Sequence, residues 1–396
     1  MKRYDCIIIG AGASGLMCAI KMSPLKKVLI IEKNNSCGKK LLLTGGGRCN
    51  VTNLKDDNLF LENIHNKKYL YSAINNFGPQ DIYDFFTSRG CFLKEELDNK
   101  IFSKSDKASS ILNCLMSEIK SCDNVKINYN ETVVSIEHND IIKVFSDKNC
   151  YEASTVVVAT GGKSFPKTGS SGDHIKFSKM LNQPIIDLYP AETSIILKEK
   201  HNFAGTSLSN VKVTANNHSA IGNILFTHNG LSGDTIMKLS EYIYLEHIEK
   251  IYISFLEEYS KEEICDMLKN YDQKKEIKSF IAEYLTKNLA IYLLERVNIA
   301  PDTTIKTLSS KKIDDICLIL KKCPFLVLKV NDLDKAYITG GGIDMKYIDS
   351  KTMESKVNKN IYFIGEALDV HGTIGGYNIT IAFSTASLAA QSINNK

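Results

Sequence analysis

No stretch of the 396-residue chain reaches the ~18 unbroken apolar residues that a membrane-spanning helix needs, so no membrane partner is expected. Charge of one sign is also missing. Forty-nine basic residues face 45 acidic ones, a formal balance of +4. That is too mild for a surface built to hold nucleic acid, and clusters such as "DQKKEIK" and "SSKKIDD" mix signs as solvated helix faces do. The eleven cysteines (Cys6, Cys18, Cys37, Cys49, Cys91, Cys114, Cys122, Cys150, Cys265, Cys317 and Cys323) contain no C-x-x-C pair and no Cys/His spacing of a zinc site. Neither a dithiol redox centre nor a metal is therefore expected. Several lie in apolar runs, where a free thiol behaves as a small core residue, and the set reads as the reduced thiols of a cytoplasmic protein. The opening "MKRYD" does not read as a secretion leader, because Asp5 separates the basic residues from the apolar run and that run carries a glycine pattern.

What is present is a soluble globular composition, 43% hydrophobic and 24% charged, over a length that suggests two or three domains at roughly 150 residues each. "YDCIIIG" is a short β-branched run of the kind buried in parallel sheets. It leads into Gly10, Gly12 and Gly15, a G-x-G-x-x-G pattern, and then into "ASGLMCAIKM", which reads as a helix. In such a turn the first glycine permits the bend, the second lets a pyrophosphate approach the backbone, and the third lets helix and strand pack closely. The helix N-terminus at Ala13 and Ser14 offers unpaired N–H groups to phosphate. "KKVLIIE" is the next strand, and Glu32 at its end has the position of the acid that accepts from a ribose diol. An acid there argues for NAD or FAD rather than NADP. A bare glycine motif is weak; flanked by strand, helix, strand and acid it points to a dinucleotide.

Later segments choose between the dinucleotides. "STVVVATGG" is another apolar strand, ending in Thr160 and Gly161. "NIYFIGEALDVHGTIGGYNITIAFSTASLAAQSI" reads as strand, loop and small-residue helix. A nucleotide domain that opens at the first residues and closes in this way resembles the glutathione-reductase and fumarate-reductase superfamily of FAD enzymes. "CGKKLLLTGGGRCNVTN", "GGKSFPKTGSSGD", "ILFTHNGLSG", "AYITGGGIDMKYIDSKTMESK" and "GEALDVHGTIGGYN" narrow the resemblance to a bacterial family of FAD-dependent, or NAD(P)/FAD-dependent, oxidoreductases. That family is of the aminoacetone oxidase and bile-acid enone reductase type.

The resemblance implies an α/β fold, a Rossmann-like FAD-binding domain with an inserted β-rich domain and a small helical subdomain. It also implies site residues. Ser14, Glu32 and Lys33 would hold the AMP half of FAD. Thr44, Gly45, Gly46, Arg48 and Asn50 would wrap the pyrophosphate and ribityl chain, and Val133 would meet adenine. Thr160 and Gly161 would close over the nucleotide. Gly365, Glu366, Asp369, Gly376, Asn378 and Ile379 would contact the ribityl chain and flavin, with the last helix aimed at the ring. Independently of that, glycines at 45–47 open backbone conformations closed to other residues. Arg48 offers a fork of donors to phosphate, or to a structural carboxylate.

The α/β rhythm breaks in the middle of the chain. Residues 1–188 and 340–396 read as the FAD-binding domain, 189–257 as the first part of a β-rich insertion, 258–324 as a helical subdomain and 325–339 as the return strand. Ser260 with Glu263 has capping-box spacing before "KEEICDMLKNY". "KSFIAEYLTKNLAIYLLERV" reads as one amphipathic helix. His228, in "FTHNGLSGD", is a candidate substrate contact or a solvent-exposed turn residue. His371 and Tyr377, in the flavin-side loop, are candidate proton donors or packing residues. His371, Thr373 and Ile374 depart from the family's usual pattern, so a catalytic role at 371 does not follow from the resemblance.

The function expected is hydride transfer between flavin N5 and a small organic substrate, as an NAD(P)H-fed reductase of a polarised C=C. No second G-x-G-x-x-G is present for NADH or NADPH, so either would bind transiently. The alternative is an FAD-dependent amine oxidase that makes hydrogen peroxide. An RNA-modifying flavoprotein would need a strongly basic, aromatic-studded surface, and a non-catalytic flavin-binding protein would never turn over.

Overall fold

The apolar, β-branched runs become the buried strands that their composition demands. In the computed structural model, which describes residues 2–396, the first is β1 (Lys2–Ile9), followed by helix α1 (Ala13–Ile20), β2 (Val28–Ile31), β3 (Val125–Asn128) and β4 (Cys150–Val158). Near the end come β5 (Ile361–Phe363) and the long helix α2 (Tyr377–Asn394). The five strands form a parallel sheet in the order β3-β2-β1-β4-β5, with Ile8 opposite both Ile30 and Val157. β2 and the last residues of β1 and β4 are buried without alternation, as expected of strands covered on both faces.

The far edge of β4 is shared. Residues Cys150–Ala153 pair antiparallel with the strand Ile142–Ser146, and Val156–Val158 then pair with β5. Ile142–Ser146 pairs in turn with Val133–His138, which completes a seven-stranded sheet. A chain that returns after two hundred residues to add β5 beside β4 places both ends of the sequence in one core.

The chain forms two compact units, one of residues up to Tyr189 together with Ile338–Lys396, the other of Pro190–Tyr337. The second unit is built on a closed barrel of six strands, Ile195–Leu197, Gly230–Ser232, His218–Phe226, Ser207–Ala215, Lys250–Ser254 and Cys323–Val330. Closure leaves no sheet edge unpaired. The helices Asp234–Leu245, Lys261–Asn270, Lys287–Arg296 and Ser310–Lys321 share one hydrophobic core with it. The β-rich, helical and return-strand stretches separated by sequence are therefore one unit.

Three local findings bear on the sequence reading. Ser260 Oγ accepts from the Glu263 N–H at 3.1 Å and Glu263 Oε2 from the Ser260 N–H at 2.7 Å, the full capping box. The single helix read over "KSFIAEYLTKNLAIYLLERV" is two, Ile277–Ile281 and Lys287–Arg296, broken where Thr286 turns extended. Cys265 and Cys317 are joined as a disulfide with Cα atoms 5.8 Å apart, which corrects the reading of every cysteine as a free thiol. Two facing helices, Lys261–Asn270 and Ser310–Lys321, bring the two sulfurs together.

Candidate functional site

The three glycines of the opening motif take three different environments. Gly10 has φ +104°, and a Cβ on it would stand 2.6 Å from the Ala159 carbonyl oxygen; a Cβ on Gly15 would overlap the Gly10 carbonyl. Gly12 has extended backbone and nothing within 4 Å of where its Cβ would be. Two glycines are thus needed for packing, and the middle one leaves the backbone open to a ligand, the division of labour a dinucleotide turn requires. Ala13 and Ser14 begin α1 just beyond it.

Glu32 follows β2 and is buried. Its Oε2 accepts from the Ala11 N–H at 2.7 Å, and its Oε1 accepts from the Asn34 N–H at 2.8 Å and the Asn34 side chain at 2.7 Å. The acid therefore holds the glycine turn to the end of β2. The next residue, Lys33, donates to Asp173 Oδ2 at 2.8 Å and to Ser171 Oγ. Val133 is buried at the start of its strand.

The loop after Leu41 is shaped by left-handed glycines. Thr44 is extended with its hydroxyl on the Leu41 carbonyl, and Gly45, Gly46 and Gly47 have φ of +57°, +65° and +87°. A Cβ on Gly46 would meet nothing within 4 Å. The chain turns back through Arg48 into Asn50. The Arg48 guanidinium pairs with Glu96 and Asp106 and lies 4.2 Å from the centre of the Phe102 ring.

The late loop closes on these elements from the other side of β4. Gly365, at φ +64°, packs so closely on Ser14 that a Cβ would stand 2.8 Å from its hydroxyl oxygen. Glu366 lies against Gly161 and Gly162. Its Oε2 accepts from Lys40 Nζ at 2.6 Å and the Gly162 N–H at 3.4 Å; its Oε1 accepts from the Thr339 N–H and Ser164 Oγ, both at 3.1 Å. Burial alone would raise this carboxyl, but Lys40 and the hydrogen-bond donors hold it below the ordinary glutamate range. Lys40 was not singled out by sequence; its only signal was a place beside the glycine loop. His174 is buried nearby, and burial pushes its imidazole down to about 4.

Asp369 is buried with one oxygen accepting from Asn66 at 2.9 Å, and burial raises its carboxyl above the usual aspartate value despite the imidazoles of His65 and His371. His371 is buried and stacks on His65 with ring centres 5.0 Å apart. Tyr377 is buried against Phe60 at 4.8 Å, and burial pushes its phenol up to about 12. Gly376, at φ +98°, caps α2, and Asn378 staples the loop by donating to the Gly372 carbonyl at 2.6 Å and accepting from its N–H at 2.9 Å. Ile379 is half-buried on α2. His228 belongs to the other unit, exposed on the turn between Phe226 and Gly230.

The residues gathered at the carboxyl ends of β1, β4 and β5 fit a flavin dinucleotide. Thr160 Oγ1, Asn50 Oδ1 and Asp369 Oδ1 are buried polar atoms with no partner among the described residues. Such atoms call for one. Thr160 and Asp369 follow β4 and β5, at whose carboxyl ends open parallel sheets take their ligands, and Asn50 follows the glycine loop that holds Gly46.

Fold and cradle together define a Rossmann-type dinucleotide-binding flavoprotein. The chain belongs to the HI0933-like protein family, whose Rossmann-domain model matches residues 4–392, and it is an enzyme of the FAD-dependent oxidoreductase kind. It is 30% identical to a ribosomal RNA dihydrouridine synthase of Haemophilus influenzae over the full length of both chains. It is 29% identical to the Escherichia coli protein of that name, over 99% of this chain and 98% of the other. A 3-dehydro-bile acid delta(4,6)-reductase of Clostridium scindens is 28% identical over 97% of each. A solved quinol-fumarate reductase shares the fold over the whole chain and 71% of its own, with TM-score 0.53 at 13% identity. Among the described residues no helix is long and apolar enough to cross a membrane.

Proposed function

We propose that this protein is an FAD-dependent reductase that saturates a C=C bond conjugated to a carbonyl, with a uracil ring in RNA as the first substrate to test and a 3-oxo steroid as the second. The observation that carries the reading is the backbone left open at Gly12 and Gly46, together with three buried oxygens, on Thr160, Asn50 and Asp369, that have no partner among the described residues. Bound there and first reduced by a nicotinamide, the flavin would supply the hydride for the electron-poor carbon of such a bond, and a proton would complete the other carbon. The names of the full-length relatives support this chemistry, because uridine and a 3-oxo-delta(4,6) bile acid both present a C=C in conjugation with C=O. The names of two of them are the reason to put RNA first among the substrates tested, although the net charge of +4 is mild.

The chain's own residues would bind and orient. The turn that Gly10 and Gly15 shape would present the backbone of Gly12 and Ala13 to the pyrophosphate, Ser14, Glu32 and Val133 would hold the adenosine end, and Thr44, Gly45, Gly46, Asn50, Thr160, Gly161, Gly365, Asp369, Gly376, Asn378 and Ile379 the remainder. Tyr377 carries its proton at neutral pH, as any phenol does and the more so for its burial, and it is the first candidate donor to the second carbon. The test is anaerobic: photoreduced, FAD-loaded protein is mixed with a uridine-containing ribosomal RNA transcript, with a 3-oxo-delta-4 steroid, or with aminoacetone. Reoxidation with a product two mass units heavier is expected from a conjugated substrate. Inertness to both, combined with peroxide formation from aminoacetone in air, would replace the reductase with the oxidase.

A further inference from the structure

We propose that Lys40 and Glu366 form an internal latch that sets the shape of the nucleotide cradle, with both acting as positioning residues. This rests on the FAD reading above. The alternative for Glu366, direct contact with the ribityl chain, requires a free lone pair on its carboxylate. The structure uses them up. Four donors converge on its two oxygens: Lys40 Nζ, the Gly162 N–H, the Thr339 N–H and Ser164 Oγ.

The donors and the carboxylate that gathers them lie on four separate pieces of chain: the "CGKK" segment that leads into the glycine loop, the turn after β4 that holds Gly162 and Ser164, the strand Ile338–Ile343, and the loop after β5 that holds Glu366 itself. Lys40 donates a second time, to Ser164 Oγ at 2.7 Å, and Thr339 Oγ1 accepts from the Lys163 and Ser164 N–H groups at 2.8 and 3.0 Å. One carboxylate therefore fixes the mutual position of Gly161, Gly365 and the start of the loop Leu41–Gly47. The lysine side chain is 25% exposed and that of the glutamate 21%, so neither is a freely solvated surface charge. Removing only the cation leaves a carboxylate poorly hydrated and unpaired, whereas removing both charges does not. That asymmetry separates a latch from a ligand.

The experiment measures FAD affinity of the apoprotein, by quenching of FAD fluorescence, and the thermal midpoint of the same apoprotein. K40M is expected to weaken FAD by about tenfold or more and to lower the midpoint. E366Q alone, which strands the Lys40 cation, is expected to weaken FAD and lower the midpoint in the same direction as K40M, whereas K40M/E366Q, with neither charge left unpaired, is expected to regain most of both. K40R, which keeps the cation, should hold the midpoint even if K40M fails to fold. If the double variant loses FAD as severely as K40M, the carboxylate contacts the cofactor and the latch is wrong. If wild-type protein takes up no FAD, the cofactor reading falls, while the apoprotein midpoints still decide the latch.

Discussion

Gly12 and Gly15 stand three residues apart and answer to different forces. At Gly15 the limit is steric: a methyl group would be driven into the Gly10 carbonyl, so α1 could not sit where it does on β1. Overpacking of this kind costs about 1–3 kcal/mol or more. At Gly12 the backbone is extended and the space beyond it empty, so alanine adds no strain to the protein itself. G12A should therefore leave the apoprotein's unfolding free energy within about 0.5 kcal/mol of wild type and weaken FAD, whereas G15A should lower stability and lose FAD together. Urea unfolding of both apoproteins beside an FAD titration checks this. Equal destabilisation by the two would mean that Gly12 packs too, and that no ligand approaches it. This much was legible in the sequence because the turn is local: spacing alone assigns each glycine its task. Glu32 was legible in place but only partly in role, since its contacts to Ala11 and Asn34 depend on how the turn closes. Lys40 was not legible, because its partner is 326 residues away.

At the scale of the element, what the sequence revealed was punctuation and periodicity. The Ser260–Glu263 capping box stands where its spacing placed it. The break between Ile277–Ile281 and Lys287–Arg296 was missed because neither glycine nor proline marks it and Thr286 makes no side-chain cap. The pairing of Cys265 with Cys317 was invisible for a different reason. Spacing cannot identify partners 52 residues apart, and scattered cysteines in apolar runs look alike. The cross-link ties Lys261–Asn270 to Ser310–Lys321 and closes a long loop, which is worth roughly 2–4 kcal/mol, chiefly through the unfolded chain. Dithiothreitol should lower the wild-type melting midpoint of this unit and leave that of C265S/C317S unchanged. An unchanged wild-type midpoint, with eleven thiols titrating in the unfolded protein without reductant, would show that the bond does not form.

The whole molecule is a flavoprotein fold interrupted by a second unit, and the interruption is organised so that each part closes on itself. Within Pro190–Tyr337 the two ends meet: the Tyr337 N–H donates to the Glu192 carbonyl at 3.1 Å and the Asn331 N–H to the Ser194 carbonyl at 3.0 Å. The barrel is closed, its core is its own, and its ends are tied by backbone bonds, which are the conditions for independent folding. In the first unit the points of exit and re-entry are likewise adjacent. A Cβ on Gly340 would overlap the Tyr189 ring, and the Asp344 N–H donates to the Pro184 carbonyl at 3.0 Å. The chain rhythm from strands and helices to short alternating strands announced such an insertion, but tertiary packing, not pattern, decided that its barrel and helices form a single unit. It follows that residues 190–337 expressed alone should melt cooperatively, and that the remaining chain, joined by a short glycine linker, should fold and take up FAD. Circular dichroism melts of the excised unit and a flavin spectrum of the joined remainder make the measurement. A broad, non-cooperative melt would mean that the barrel depends on the rest of the chain. A folded remainder unable to take up FAD would mean that the cradle at β1, β4 and β5 is not sufficient for the nucleotide.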